Sequence, residues 1–274
     1  MEINEIKKEQ DMEELDVINR LLVIMQKEGM KEVPQDVLEV FHSIAGMQMQ
    51  LEAVVEELQG VREQLTQMQN SYPKEVTERI TAHTAYFQEK AGGLAERLTA
   101  LKVHFMDTAW QAVTAFEEKG REKMYAVLLK GLLGVKSMLA GCREKMMDVL
   151  IECEKTANQI DSIGDELKQI GNGLANVGRL LFGKGTKELP EESHGVGLTR
   201  TLNIPVKKMI MTLRKQIDMA DHTREKINIL SEKLSAEKEK RISVKEKLSQ
   251  KKTESELKIS ETNKEKAKNK ELCI

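Results

Sequence analysis

The stretch Gly178-Arg-Leu-Leu-Phe-Gly183-Lys184-Gly185 satisfies the first seven positions of a phosphate-binding loop, GxxxxGK. In such a loop backbone N–H groups cradle phosphate and the lysine reaches the outer phosphates. The next residue should be Ser or Thr, to hold magnesium, and here it is Gly185. A phosphate loop also follows a strand and opens a helix. This stretch is expected to close a long helix and open a loop, so it reads as a helix C-terminus punctuated by glycine.

The other reactive residue types are dispersed. Cys142 and Cys153 stand eleven residues apart and share a face if one helix holds both. A tetrahedral metal site needs further ligands nearby. The five histidines (His42, His83, His104, His194 and His222) are scattered along the chain. Both cysteines therefore read as buried structural residues. His42, beside Phe41, reads as a helix-packing residue rather than a base. No catalytic, cofactor-binding or metal-ligating residue is assigned, no cofactor is implied, and the chain reads as no enzyme.

The bulk composition narrows the classes further. The 274 residues are 40% hydrophobic and 32% charged, but only 3% aromatic. Leu, Val, Ile, Ala and 15 Met must supply the core that aromatic rings often dominate. That suits thin layers of packed helices. Lys+Arg (43) nearly cancel Asp+Glu (45), which argues against a dedicated nucleic-acid binder. Three cysteines make no disulfide framework, so a reducing cytoplasm is expected. The N-terminus, MEINEIKKEQDMEE, lacks the apolar core of a signal peptide. No long uncharged apolar run of the kind that spans a bilayer is seen. Cys273 sits one residue from the end, which is the wrong place for prenylation.

The elements that would position any site are helices. Ten apolar residues alternate in 3-4 spacing without a break: Val37, Val40, Ile44, Met47, Leu51, Val54, Leu58, Val61, Leu65 and Met68. No segment shows a sustained period of two, so the fold class is all-α. The first helix is expected from about Asp11 to Glu28, with Gly29 as its stop. Pro34 opens the second, which carries the ladder and ends at Asn70-Ser71-Tyr72-Pro73. The third carries Ile80, Phe87, Ala91, Leu94, Leu98, Leu101, Phe105, Ala109, Ala112 and Phe116. Gly92-Gly93 inside it is a candidate kink, and Gly120 follows. Seven of the nine aromatics lie between Tyr72 and Tyr125, which makes this helix the expected centre.

Met124–Cys142 is the most apolar piece of the chain, and Gly134 is expected to cap one helix before Val135 starts another. A second ladder follows: Met146, Val149, Cys153, Thr156, Ile160, Ile163, Leu167, Ile170, Leu174, Val177 and Leu181. Ala157, Gly164, Gly171 and Gly178 line its flank. Each such glycine costs a helix roughly 1 kcal/mol relative to alanine, so their repetition suggests a closely approaching neighbour. Asn203 and Pro205 are expected to start the last helix, whose seam is Val206, Met209, Leu213, Ile217, Ala220, Ile227, Leu230 and Leu234. Beyond Ala236 the chain carries 12 Lys/Arg and 8 Asp/Glu to Glu271, a solvated single helix or disorder.

With Val37 at heptad position a, Leu51, Leu58 and Leu65 fall at a and Val40, Val54 and Val61 at d. That arrangement disfavours a two-stranded coil. Phe41 and Val55 widen the stripe, and Ser43, Gln50 and Gln64 offer no charge code to a second chain. The pattern suits an antiparallel helical bundle within one chain. The second ladder is the expected close neighbour of the first.

The segments PQDVLEVFHSIAGMQMQLEAVVEELQGVREQL (34–65), LLGVKSML (132–139) and NVGRLLFGK (176–184) resemble an uncharacterised all-helical family of Gram-positive gut bacteria, often encoded on conjugative or mobile elements. The similarity covers about residues 10–185. It implies a bacterial cytoplasmic setting and an accessory role near mobile DNA, and it brings no activity and no site residues.

The resulting reading is an elongated antiparallel bundle with coiled-coil-like heptad packing. It comprises a flexible N-terminus (1–10), a bundle (11–183), a linker (184–202), a C-terminal helix (203–235) and a charged tail (236–274). The expected function is a non-enzymatic scaffold for an unidentified protein partner, with self-association open. The alternative is a membrane-active protein using 124–142. Buried packing is favoured for that segment, because an interfacial helix normally shows a broad charged face. Nucleic acid is expected to meet the chain only weakly, through the Lys-rich tail.

Overall fold

The computed structural model describes residues 2–67, 74–181 and 196–271. Every described element is a helix: α1 (Glu2–Lys27), α2 (Val33–Gln67), α3 (Lys74–Lys119), α4 (Arg121–Leu181) and α5 (Val196–Glu271). The fold is all-α, as the apolar periodicity predicts. Helix α1 begins nine residues ahead of the expected Asp11 and includes the segment expected to be flexible. At its other end Gly29 adopts φ 79°. The N–H of Met30 donates to the Met25 carbonyl and that of Gly29 to the Gln26 carbonyl. These two bonds make a Schellman stop, and Met25 and Met30 supply its buried apolar contact. The Arg121 guanidinium also reaches the Glu28 carbonyl and carboxylate, so the start of α4 caps the end of α1.

In α2 every ladder residue from Val37 to Leu65 is buried; Met68 lies outside the described residues. Helix α3 runs through Gly92-Gly93 without interruption. It reverses into α4 across one residue, Gly120, whose φ of 73° only glycine adopts without strain. Gly120 N–H donates to the Phe116 carbonyl, and its own carbonyl accepts from Met124. The tight reversal makes α3 and α4 antiparallel neighbours.

Helix α4 continues past Gly134 as one element of 61 residues, which corrects the expected stop there. A Schellman stop needs a positive φ, and Gly134 does not have one. Gly131 and Gly134 instead admit α3. A methyl group on Gly131 would lie 2.0 Å from Thr108 Cγ2, and one on Gly134 would lie 2.5 Å from His104 Nε2. The close approach therefore occurs at these two glycines. Ala157 is buried, whereas the surroundings of Gly164, Gly171 and Gly178 lie outside the described residues.

Helix α5 starts at Val196, so 196–202 is helical and Pro205 falls inside rather than at the start. Proline removes one helical N–H and crowds the preceding turn, but here its ring is buried. The rest of the expected linker lies outside the described residues. The backbone of the charged tail is helical to Glu271.

Helices α2, α3, α4 and α5 form a closed ring: α3 packs on α2 and α4, and α5 packs on α4 and returns to α2. Helix α1 lies on α3 and α2, so α3 touches all the other helices. The expected pairing of the two ladders is corrected: α2 and α4 stand diagonally and make no contact among the described residues. Consecutive antiparallel helices are adjacent in such a bundle, which places the first and third across the core from each other. The seam of α2 is covered by α3 and α5.

Polar groups fix how α5 sits on α2. Gln216, fully buried, donates to the Met47 carbonyl at 2.9 Å. Thr223 Oγ1 donates to the Met219 carbonyl at 2.7 Å and lies 2.6 Å from Ser43 Oγ. Its one proton is used within α5, so Ser43 is the donor across the seam. Outside this layer Lys226 pairs with Glu39, Lys208 with Glu57 at 2.6 Å, and Lys233 with both Asp36 and Glu32. Arg143 Nε bridges both oxygens of Asp221 at 2.7 and 2.8 Å, tying α4 to α5.

Glycine replacement will separate the two uses of this residue. Gly131→Ala should destabilise by about 1–3 kcal/mol through overpacking against Thr108. Gly92→Ala, with nothing within 4 Å of the new methyl, should stabilise by about 0.5–1 kcal/mol. Urea unfolding checks both signs. In the same assay Thr223→Val should cost about 1–3 kcal/mol by leaving the Ser43 hydroxyl without its acceptor. Lys208→Met, at a half-exposed ion pair, should cost under about 1 kcal/mol.

Candidate interaction surface

The buried seams consume most of the large apolar side chains, so the informative residues are those facing outward. Helices α1 and α4 flank α3, and among the described residues they meet at one end, where Arg121 reaches Glu28 just past the end of α1. Between them α3 presents an outer face carrying Val103, Asp107 and Trp110. Trp110 is the chain's one tryptophan, and it is 51% exposed. The Arg20 guanidinium from α1 lies 5.9 Å from its ring centroid and pairs with Glu117 at 3.2 Å. The cation steadies the ring from one side and leaves the rest of it to solvent.

One turn from Trp110, Asp107 enters a groove of about 580 Å³ between α3 and α4. His104, Thr108 and Gln111 line it from α3, and Lys123, Val127 and Lys130 from α4. The groove follows from the small residues on its α4 wall, Ala126, Gly131 and Gly134. The His104 imidazole lies against Gly134, and its Nε2 is buried without a hydrogen-bond partner. Thr108 Oγ1 donates to the His104 carbonyl at 2.8 Å. A second groove, of about 450 Å³, runs between α2 and α5 past Ala53, Val54, Lys208 and Met211.

The residues that suggested chemistry are not brought together. Cys142 and Cys153 are both buried on α4 and both unpaired. Burial pushes the Cys142 thiol up. The Cys153 thiol is pushed up to about 12, first by burial and then by Glu152 and Glu154. Such thiols stay protonated at neutral pH and are poor nucleophiles. His42 is exposed on α2 with its ring 6.0 Å from Phe41. His83 and His104 lie on α3 and His222 on α5, while His194 lies outside the described residues. Burial lowers His83 below the ordinary histidine value. Among the described residues no three His, Cys, Asp or Glu side chains gather as metal ligands. Gly178 to Leu181 form the end of α4, and Phe182 to Gly185 lie outside the described residues.

The other displaced groups have structural partners. Tyr86 is pushed up to about 12, chiefly by its hydrogen bond to Glu152 across α3 and α4. Lys90 covers its ring at 5.0 Å. Glu39 is held below the usual carboxylate range by Lys226 and Gln35. Lys233 is raised by Asp36 and Glu32.

Sequence reading missed Trp110 as a surface residue and missed the pair Gly131 and Gly134. Both had local signals. Trp110 sits one position off the Phe105, Ala109, Ala112 seam, and the two glycines share a face three residues apart within an apolar stretch.

No curated protein and no solved structure matches this chain. A family model matches residues 14–272, nearly the whole chain. It covers α2 to α5 and the second half of α1, and the chain therefore belongs to DUF6674, a family of unknown function.

Proposed function

We propose that this chain is a non-enzymatic helical scaffold that engages a protein partner in the bacterial cytoplasm through the outer face of α3 and its groove with α4. The observation that carries this reading is Trp110. Tryptophan is among the commonest anchors of protein interfaces, because it buries much area at small entropic cost. Here it stands half-exposed on a rigid helix beside a groove, with Val103 also exposed two turns away. Lys123 and Lys130 on the facing wall supply a polar rim. The reading uses no reacting group: the displaced titratable groups described above answer to burial or to structural partners. An accessory role on a mobile element is part of the proposal, supported by the sequence resemblance alone.

A second reading has its own observation. A stretch within Arg121–Gln159 is long and apolar enough to cross a membrane, and a third of it is buried. Leu133 is 62% exposed and Ile151 is 61% exposed on its outer side. Contact of this helix with a bilayer would use those side chains, and liposome co-sedimentation of Leu133→Glu against the native chain tests it.

For the favoured reading, the partner captured by the tagged native chain from its own cells, identified by mass spectrometry, should be lost with Trp110→Ala. Truncating an interface anchor of this kind typically costs about 2 kcal/mol or more. Leu133→Glu should leave capture intact. Equal capture by the Trp110→Ala chain would count decisively against this site.

A further inference from the structure

The groove between α2 and α5 has one wall of a single charge. From Ser193 to Ile217 the chain has no acidic residue and five cations: Arg200, Lys207, Lys208, Arg214 and Lys215. The whole of α5 carries 20 Lys and Arg against 12 Asp and Glu, in a chain whose net charge is -2. Part of this excess is answered within the bundle, where Lys208 meets Glu57 and Arg214 meets Glu154. Lys207 and Lys215 are exposed with no ion-pair partner among the described residues.

Apolar side chains stand beside these cations. Met211 is 70% exposed in the groove, and Ile204, two turns earlier on α5, is 56% exposed. Met49 is exposed on α2 next to Gln50, which lines the same groove. The lining residues repeat at i, i+3, i+4 and i+7 on both helices: Gln50 to Glu57 and Lys208 to Lys215. Two such stripes on antiparallel neighbours make a channel that a third helix fits. Methionine adapts its shape to whichever apolar knob arrives.

We propose that this groove takes an amphipathic helix of a partner protein, with its apolar stripe on Met211, Ala53 and Ile204 and acidic side chains facing Lys207 and Lys215. The charge of the α5 wall selects acidic flanks. The concave shape selects a helix over a bilayer, since a flat surface would rest on the exposed Met211 and Ile204 without reaching Val54, which lines the groove and is buried. The inference rests on the reading of this chain as an interaction protein. It uses a face other than that of Trp110, so the two fail on separate variants.

Fluorescence anisotropy on the full chain tests it with two synthetic helical peptides. Both carry leucine at i, i+4, i+7 and i+11; one has glutamate on the flanking positions and its twin has lysine there. The glutamate peptide should bind about tenfold or more tightly than the twin and weaken as salt rises. Met211→Glu and Lys215→Glu should each reduce that binding about tenfold, and Trp110→Ala should leave it unchanged. Equal binding of the two peptides, no binding of the glutamate peptide, or indifference to Met211→Glu overturns the proposal. So does sedimentation with phosphatidylglycerol–phosphatidylcholine vesicles that Met211→Glu abolishes, because that assigns the face to a membrane.

Discussion

A helix with an uninterrupted apolar stripe must be covered along its whole length, and the stripe of α2 sets that demand for the bundle. From Val37 to Leu65 the stripe spans about 42 Å at 1.5 Å per residue. No short element covers such a length. Helices α3 and α5 do so from two sides, and α4 then closes the ring between them. The scarcity of aromatics suits this arrangement. Aliphatic side chains fill the narrow space between helices, and Phe41 and Phe105 meet where α2 and α3 need a larger pair, with ring centroids 6.0 Å apart.

Apolar burial alone would leave the helices free to slide by a turn. The polar contacts remove that freedom. The Gln216 amide N–H reaches the Met47 carbonyl and Ser43 reaches Thr223 at one register of α5 against α2. A slip would break both bonds and leave the buried Gln216 amide N–H and the Met47 carbonyl unpaired, at a cost of about 1–3 kcal/mol. Charge supports the same register from outside, because the basic α5 lies along acidic positions of α2. The nearly neutral total therefore conceals a segregation that has structural work to do, and its remainder on α5 faces solvent.

Much of the local structure was legible in the sequence. Nine residues of the first ladder are buried as their spacing requires, and Gly29 stops α1 by the backbone geometry expected of it. Other glycines were ambiguous for a physical reason. Glycine serves both a left-handed turn and a close helix contact, and sequence does not distinguish the two. Gly120 turned out to be the first kind and Gly134 the second. Pro205 misled similarly: proline favours helix starts, yet α5 continues across it. The candidate surface was less legible. The exposure of Trp110 depends on α1 and α4 standing apart around α3, which no local pattern encodes.

Sequence by itself determined the fold class and the residues on the buried stripes of α2, α3 and α5. Those properties follow from the 3.6-residue period of the helix, which any segment carries regardless of its neighbours. Tertiary structure decided which faces meet. The one-residue reversal at Gly120 made α3 and α4 neighbours, set the two ladders diagonally and left the seam of α2 to α5. It also decided which outward residues share a groove. Adjacency across the bundle depends on how the chain reverses between helices, and a periodic stripe records only that a partner is required.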